Sequence, residues 1–354
     1  MKKWWYRRIL IMILILVSVL ETGFSIEKSR VEAKKERVST QAVANNSMIV
    51  GGMPIGIYMK TDGILVLGTD AIKGMNGKRQ EPAKNLVKAG DYILALNGKQ
   101  IESKKHLQKE IEQLDTNRVV LRLRRKGEEI EIKMNAVQTS KDSYKLGIWV
   151  RDSMQGLGTI TYITPNGMFG ALGHGIHDSD IEVLLDMKEG RIYKTSILRI
   201  TKGMKGTPGG IEGAIIYNDK NYLGEIYKNS KLGIYGRIED VSLPIPQAQL
   251  VEICPKEDMK KGKAILRCCI DGTVQDYEVR IEKVNRFSRE KNKEIVVKVT
   301  DKELLDKTGG IVQGMSGSPI IQDGKLVGAV THVLVNDPTR GYGIFIENML
   351  EAAE

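Results

Sequence analysis

Short apolar runs alternate with polar and glycine-containing turns along most of this chain, and this pattern predicts a protein made mainly of β-strands. In the first half the strand-like runs lie at residues 55–59, 63–67, 92–96, 119–124 and 129–134. One stretch, residues 103–114, has the 3.6-residue period of an amphipathic helix instead. Several short strands with one helix indicate a small compact domain. We therefore expect a first domain at residues 47–137.

From about residue 145 the apolar runs become shorter and glycine becomes more frequent. The runs lie at residues 146–151, 158–163, 192–200, 214–217, 231–237, 264–270, 277–284 and 294–300. Regularly spaced short strands with turn signals between them are typical of β-barrels. We therefore expect a second, mainly β domain at residues 138–354.

The first residues have the pattern of an export signal. Four cations, Lys2, Lys3, Arg7 and Arg8, precede an apolar run at residues 9–20. Residues 21–24 offer no clear small-residue cleavage site, which favours an uncleaved signal-anchor over residues 1–25, although removal of the signal remains open. The positive flank stays in the cytoplasm, so the rest of the chain is expected outside it. Charged and small residues at 26–46 predict a linker.

Charge and cysteine content exclude some classes of protein. The formal net charge is +10, but residues 1–45 hold nine Lys/Arg against four Glu, so half of it belongs to the N-terminus. With 5% aromatic residues and no basic run beside stacking residues, the sequence does not favour nucleic-acid binding. Cys254, Cys268 and Cys269 are an odd number and predict small core residues, not disulfides. We predict no cofactor and no metal site, because no zinc-ligand spacing is present.

The sequence QGMSGSPI, residues 313–320, has the composition of a nucleophile loop. Gly314 and Gly317 allow sharp turns on both sides of Ser316, so its hydroxyl can be exposed while neighbouring N–H groups bind an oxyanion. In a trypsin-like arrangement Gly314 and Ser316 would donate those two N–H groups. An Asp323-Gly324 turn between apolar runs predicts a bracing hairpin. The alternative interpretation is an ordinary turn before that hairpin.

The spacing around Ser316 does not fit two other motifs. An α/β-hydrolase elbow requires glycine two residues after the serine, where this chain has Ser318, and a phosphate-binding loop opens a helix, whereas a strand follows here.

His174 is the preferred candidate for the base that would activate Ser316. It lies between glycines in GALGHG, residues 170–175, and a neutral imidazole can accept a proton and return it to a leaving amine. A structural histidine is one alternative, and His177 or His332 as the true base is another.

The first domain resembles a PDZ domain. The sequence AGDYILALNG, residues 89–98, matches a hairpin of that family, and Ile55, Gly56 and Ile57 resemble its apolar-Gly-apolar carboxylate loop. This resemblance implies that the domain binds the C-terminal tail of a partner protein as an added strand. It also implies a possible ligand contact for His106, near the start of the helix, although a surface histidine is the alternative.

The chain as a whole resembles the stage IV sporulation protein B serine peptidase family. The matching runs are GALGHG, TGGIVQGMSGSPI at residues 308–320, GAVTHV at 328–333 and NDPTRGYGI at 336–344. The resemblance implies that His174 and Ser316 are catalytic and that Asp301 is the third member of the triad. Asp178 and Asp180 are competitors for that third role.

The family resemblance also implies a biological role and a fold. The fold would be a trypsin-like double β-barrel peptidase domain preceded by the PDZ domain. The protein would be a sporulation signalling endopeptidase in the space between the two forespore membranes. It would cleave itself and a regulator of a membrane-embedded metalloprotease, which leads to sigma-factor activation. The competing hypothesis is a non-catalytic, membrane-anchored PDZ adaptor, because sequence alone does not establish triad geometry.

Overall fold

The computed structural model describes residues 47–239 and 250–354, and these form a mainly β protein. The predicted signal-anchor and linker, residues 1–25 and 26–46, lie outside this range. In the range that is described, no helix has both the length and the apolar character needed to cross a membrane.

The strands of this protein pair with one another in a mostly antiparallel manner. The strands are β1 Ser47–Val50, β2 Pro54–Thr69, β3 Ile72–Lys73, β4 Arg79–Gln80, β5 Tyr92–Leu96, β6 Lys99–Gln100, β7 Arg118–Arg125, β8 Glu128–Asn135, β9 Val137–Ser140, β10 Ser143–Lys145, β11 Ile148–Ile163, β12 Met168–Ala171, β13 Met187–Thr201, β14 Gly210–Ile215, β15 Tyr222–Ser230, β16 Gly233–Ile238, β17 Leu250–Glu252, β18 Gly262–Cys269, β19 Val274–Val284, β20 Ile295–Val299, β21 Pro319–Gln322, β22 Lys325–Val333 and β23 Arg340–Phe345. The helices are α1 Lys104–Glu112, α2 Lys302–Thr308 and α3 Ile346–Ala353.

The C-terminal part of the chain forms a closed six-stranded barrel in the order β18-β19-β20-β23-β22-β21. Its strands alternate between buried and exposed positions: in β19, Tyr277, Val279 and Ile281 are all buried while the residues between them face outward. This two-residue period gives one apolar face per strand. Closing the sheet turns all those faces toward a common interior, which Val297 and Ile320 also fill.

A second closed circuit, which we call the N-terminal ring, is formed by β2, β11, β12, β16, β15 and β13. It closes because β2 pairs with β13 along one edge and with β11 along the other. Isoleucines dominate its interior, among them Ile160, Ile192 and Ile234, all with essentially no exposed surface. β-Branched side chains pack well on a pleated surface, which explains this composition.

The two long strands β2 and β11 extend beyond the ring. They pair from Pro54 opposite Thr159 to Thr69 opposite Ile148, with register shifts in the middle. Gly63, with φ of +93°, lies where β2 leaves the ring. The outer halves of both strands, together with residues 70–147, enclose a separate apolar core; we call residues 63–151 the inserted module.

This arrangement corrects the predicted domain boundaries. The chain enters the N-terminal ring with β2, leaves it to build the inserted module, and returns to it with β11. The module is therefore an insertion into the ring, because β2, in the predicted first domain, pairs with β11 and β13, both in the predicted second domain.

The predicted carboxylate loop at Ile55, Gly56 and Ile57 is also wrong. These residues lie in the ring part of β2, where they pair with β11 on one side and with β13 on the other. Their backbone groups are therefore committed to the sheet. A β-carbon at Gly56 would lie 2.6 Å from the Ile215 side chain, so the glycine is explained by packing.

Local turn signals were predicted correctly. The β5–β6 hairpin turns at Asn97 and Gly98, with φ of +49° and +80°, and the β21–β22 hairpin turns at Asp323 and Gly324, with φ of +51° and +76°. Two consecutive positive φ angles are what a tight hairpin turn requires. The three cysteines are buried, as predicted.

Asp301, predicted as the third member of the triad, is the N-cap of α2. Its carboxylate accepts hydrogen bonds from the backbone N–H groups of Leu304 (3.0 Å) and Glu278 (3.4 Å). No hydrogen bond joins it to a histidine anywhere in residues 47–239 and 250–354. A capping carboxylate stabilises a helix start by satisfying unpaired N–H groups, which accounts for Asp301 without a catalytic role.

The capping role predicts that Asp301→Ala lowers the free energy of unfolding by about 0.5–2 kcal/mol, because the Leu304 N–H loses its acceptor. Asp301→Asn should have an effect several times smaller, since asparagine also caps helices. Both variants should react with a serine-directed acylating probe at the wild-type rate. Denaturant unfolding and probe labelling measure the two properties separately. Loss of labelling in a normally stable Asp301→Asn variant would return Asp301 to the triad.

Candidate active site

The serine loop, residues 313–318, connects α2 to β21 and approaches the N-terminal ring closely. Gly314 and Gly317 have φ of +100° and +94°, a region that disfavours side chains. A β-carbon at Gly317 would lie 2.1 Å from the Thr159 carbonyl oxygen and 2.5 Å from the Leu172 nitrogen. Only glycine can therefore occupy this position.

Strand β11 holds the serine loop through three hydrogen bonds. Thr159 donates its N–H to the carbonyl of Ser316 (3.0 Å) and its hydroxyl to the carbonyl of Gly314 (3.0 Å). The Thr161 hydroxyl donates to the carbonyl of Gly317 (2.8 Å). Both threonines are buried, so these bonds are shielded from competing water. The carbonyl side of the loop is thereby fixed against the ring.

Two N–H groups of the loop remain free. Within residues 47–239 and 250–354, neither Gly314 N nor Ser316 N donates a hydrogen bond to a protein acceptor. Two free N–H groups at the nucleophile and two residues before it are the donors predicted for an oxyanion hole.

The Ser316 hydroxyl is half-buried and donates to the carbonyl oxygen of Thr331 at 2.8 Å. The next residue along β22 is His332. The serine loop and the end of β22 are also joined by a hydrogen bond from Gly317 N to Val330 O (2.8 Å). The hydroxyl has a single hydrogen, so it must release the Thr331 carbonyl before it can donate to an imidazole. Catalytic hydrogen bonds often form only when substrate is bound.

His174 follows β12 in a glycine-framed turn. Its Nδ1 lies 2.9 Å from the carbonyl oxygen of Gly175. A carbonyl can only accept, so Nδ1 carries the proton and Nε2 keeps its lone pair. The local backbone therefore fixes the tautomer that a general base needs.

His332 lies beside His174, with ring centroids 5.0 Å apart and an angle of 36° between the planes. A β-carbon at Gly173 would lie 2.8 Å from the Thr331 side chain, so the turn before His174 abuts β22. The structure therefore brings Ser316, His174 and His332 into one cluster across the two sheets. His177 is exposed and also contacts the Gly175 carbonyl through Nδ1, at 2.9 Å.

Desolvation dominates the electrostatics of both clustered histidines. Burial lowers the pKa of His174 below its usual 6.5, and the Gly175 carbonyl opposes this only in part. Burial, followed by the neighbouring His174, lowers the pKa of His332 to about 4. Both imidazoles are therefore neutral at neutral pH, as a base must be before it accepts a proton.

The two competing aspartates do not contact His174. Asp178 is fully buried and pairs with Arg151, while the exposed Asp180 accepts from the same guanidinium at 2.8 Å. In the part of the chain that the structure describes, no carboxylate is hydrogen-bonded to a clustered histidine. The Gly175 carbonyl occupies the place that a triad carboxylate would take.

The inserted module contains a groove that the sequence analysis did not locate. A cavity of about 780 Å³ lies between α1 and the start of β11. Helix residues Leu107, Gln108 and Ile111 line one side, and Ile148 and Trp149 line the other. His106 lies 3.7 Å from Glu110 and lines a different, smaller hollow on α1, so its predicted ligand contact stays a prediction.

The start of β11 carries an apolar-Gly-apolar run like the one at residues 55–57, but here the run lies beside a groove. Leu146, Gly147 and Ile148 form a second apolar-Gly-apolar run beside the groove, and Gly147 has φ of +66°. Residues 148–150 pair with β2 on one side only, in the ranges that are described. This run differs from residues 55–57 in its position, because it lies next to α1 and not inside the N-terminal ring.

Comparisons with known proteins give one strong result. A model of the family described as SpoIVB peptidase S55 matches residues 142–350, more than half of the chain. No curated protein matches the sequence.

Two crystal structures of the Rv3671c protease also show a weak likeness. One, in an inactive form, is 13% identical and has a TM-score of 0.30, covering 55% of this chain and 82% of its own. The other, a serine-to-alanine mutant from M. tuberculosis H37Rv, is 10% identical and has a TM-score of 0.28, covering 55% of this chain and 80% of its own. Similarities this low show neither a shared fold nor a shared function. The family match alone shows that the chain belongs to the SpoIVB peptidase S55 family and is a serine peptidase.

Proposed function

We propose that this protein is a sporulation signalling serine endopeptidase in which Ser316 is the nucleophile and His174 is the base. The observation that carries the assignment is the glycine-framed Ser316 with two free N–H groups, held in one cluster with a histidine of fixed tautomer. Family membership supports the role in sporulation.

The chemistry is acyl transfer. His174 Nε2 takes the proton of Ser316 Oγ as that oxygen attacks the scissile carbonyl carbon. The carbonyl oxygen becomes an oxyanion, which the N–H groups of Gly314 and Ser316 stabilise. His174 then gives the proton to the leaving amine. Water next attacks the acyl-enzyme and gives a proton to His174, which passes it to Ser316 Oγ as that oxygen leaves, so the enzyme is restored.

The proposed substrates are the protein itself and a membrane-protein regulator of an intramembrane metalloprotease. Cleavage would take place outside the cytoplasm, between the forespore membranes, with the chain tethered by residues 1–25. The family's name and the sequence pattern at the N-terminus support this location.

The inserted module is proposed to act as a PDZ-type peptide-binding domain. A peptide can add to the unpaired edge of residues 148–150, and the run from Leu146 to Ile148 is placed to offer N–H groups to a terminal carboxylate. The lining holds three lysines, Lys73, Lys104 and Lys145, against Asp70 and Glu112, a small excess of positive charge for a carboxylate. Leu107 and Ile111 favour an apolar last side chain.

The nucleophile assignment predicts that Ser316→Ala and His174→Ala each reduce kcat/KM for a peptide substrate by roughly 10⁴- to 10⁶-fold. The double variant should be no worse than either single one, because nucleophile and base act as one unit. Ser318→Ala is the matched control: Ser318 is fully buried with its hydroxyl unpaired, and its loss should leave turnover unchanged. Activity in Ser316→Ala that Ser318→Ala lacks would refute the assignment.

The pKa shift of His174 predicts the pH dependence. The base must be neutral, so activity falls as pH drops through the lowered pKa of His174 and not at 6.5. The rate of Ser316 acylation by a small probe should therefore have an acid-side midpoint below 6.5. A midpoint above 6.5 would contradict the desolvated site.

The groove assignment predicts binding of free C-termini. The full chain carrying Ser316→Ala should bind peptides on an array that end in an apolar residue with a free carboxylate, and should not bind their amidated versions. Gln108→Trp, which fills the groove, should weaken binding by about tenfold or more. The control is Lys105→Trp, a neighbouring helix residue that does not line the cavity. Equal binding by both variants would place the peptide site elsewhere.

A further inference from the structure

The histidine loop, residues 172–186, runs from β12 to β13 and must hold His174 in place. Its middle is fastened by Asn229, whose side chain accepts from Ile176 N (2.9 Å) and donates to the carbonyls of Ile176 and Leu185 (3.0 Å each). This clamp lies on the side of the loop that faces the ring strand β15. A second fastening lies on the side that faces β11.

That second fastening is Asp178, four residues after His174. Asp178 has no exposed surface, and its Oδ1 accepts from the N–H of Asp180 at 2.9 Å. Its Oδ2 is paired with the Arg151 guanidinium. Among the described residues no other cation lies within salt-bridge distance. A buried carboxylate is stable only when it is paired, so Arg151 determines whether this part of the loop can keep its conformation.

Arg151 is located where the inserted module joins the ring. Its neighbour Val150 lines the groove and packs against the module core, and Arg151 itself pairs with Leu65 in β2. The second arm of its guanidinium reaches Asp180 at 2.8 Å. The two-pronged contact fixes the loop in orientation as well as in distance, because the guanidinium is planar and rigid.

We propose that Arg151 and Asp178 are a positioning pair for catalysis: their ion pair locks the histidine loop onto β11 and thereby holds the His174 imidazole at Ser316. This inference rests on the proposed role of His174 as the base. Neither residue touches the reacting atoms. Their effect is transmitted through the four-residue connection from Asp178 to His174, and a small displacement of a base is costly to the reaction rate.

The chain offers a matched control pair. Arg124 of the inserted module also contacts the histidine loop, pairing with Asp186 (3.2 Å) and with Asp62 (2.8 Å). Both of these aspartates are more than half exposed, so water can replace the guanidinium when it is removed. Removing Arg124 therefore deletes a similar ion pair without leaving a buried charge.

The test measures the rate at which a small fluorophosphonate acylates Ser316 in the full chain. Arg151→Met and Asp178→Asn should each slow labelling by about 10- to 100-fold. Arg151→Lys, which keeps the charge, should recover most of the rate. The Arg151→Met/Asp178→Asn double variant should be no slower than the slower single one, since the two residues act as a pair. Arg124→Met should label within about twofold of wild type.

Two further measurements separate positioning from folding. Asp178→Leu combined with Arg151→Met replaces the ion pair with apolar groups, so it should melt within a few degrees of wild type yet still label slowly. Hydrogen exchange at the amides of Asp178 and Leu185 should be faster in Arg151→Met and unchanged in Arg124→Met. If Arg151→Met is unfolded, the labelling rates of two milder variants test the proposal instead. Asp178→Asn keeps the size of the original side chain, and Arg151→Lys keeps its charge.

The inference is overturned if folded Arg151→Met and Asp178→Asn both label at the wild-type rate, or if Arg124→Met slows labelling as much as they do. Its failure differs from failure of the proposed function. If His174→Ala labels normally, His174 is not the base. If His174→Ala is slow while the Arg151 and Asp178 variants are normal, only the positioning pair is wrong.

Discussion

The hydrogen bonds from Thr159 and Thr161 of β11 to the serine loop are the interaction on which the site depends. They bind three carbonyl groups of that loop, those of Gly314, Ser316 and Gly317. With these carbonyls held against the ring, the N–H groups of Gly314 and Ser316 have no acceptor among the described residues, and these are the donors that an oxyanion requires. The N-terminal ring thus shapes the nucleophile of the C-terminal barrel, and neither sheet has a complete site alone.

The same strand connects the remaining functional features. β11 begins at the edge of the groove, carries Arg151 at the junction of module and ring, and reaches Thr159 beside Ser316. Sixteen residues of strand span roughly 50 Å. A strand paired on at least one edge along this length is stiff. It therefore fixes the positions of the groove, the histidine loop and the serine loop relative to one another. Inserting the module between β2 and β11 gives this continuity, which two domains joined by a linker would lack.

Sequence reasoning predicted the elements that depend on local chemistry. The Asn97-Gly98 and Asp323-Gly324 turns and the glycines around Ser316 are determined by a few neighbouring residues. The Ile55–Ile57 and Leu146–Ile148 runs share one local pattern, however, and only their strand partners distinguish a ring strand from a groove edge. Asp301 illustrates a different difficulty, since an aspartate before a short helix fits both a cap and a triad.

The histidine cluster departs from a Ser-His-Asp triad in an instructive way. A carboxylate on Nδ1 does two things: it fixes the tautomer, and its full negative charge stabilises the imidazolium that forms. The Gly175 carbonyl does the first, since it can only accept from Nδ1–H, but as a dipole it does little of the second. Burial lowers the pKa of His174, and the Gly175 carbonyl opposes this shift only in part. Stabilisation of the transition state must then come mainly from the two oxyanion N–H groups. The reaction rate therefore depends on their placement by β11 and on a histidine loop that does not move.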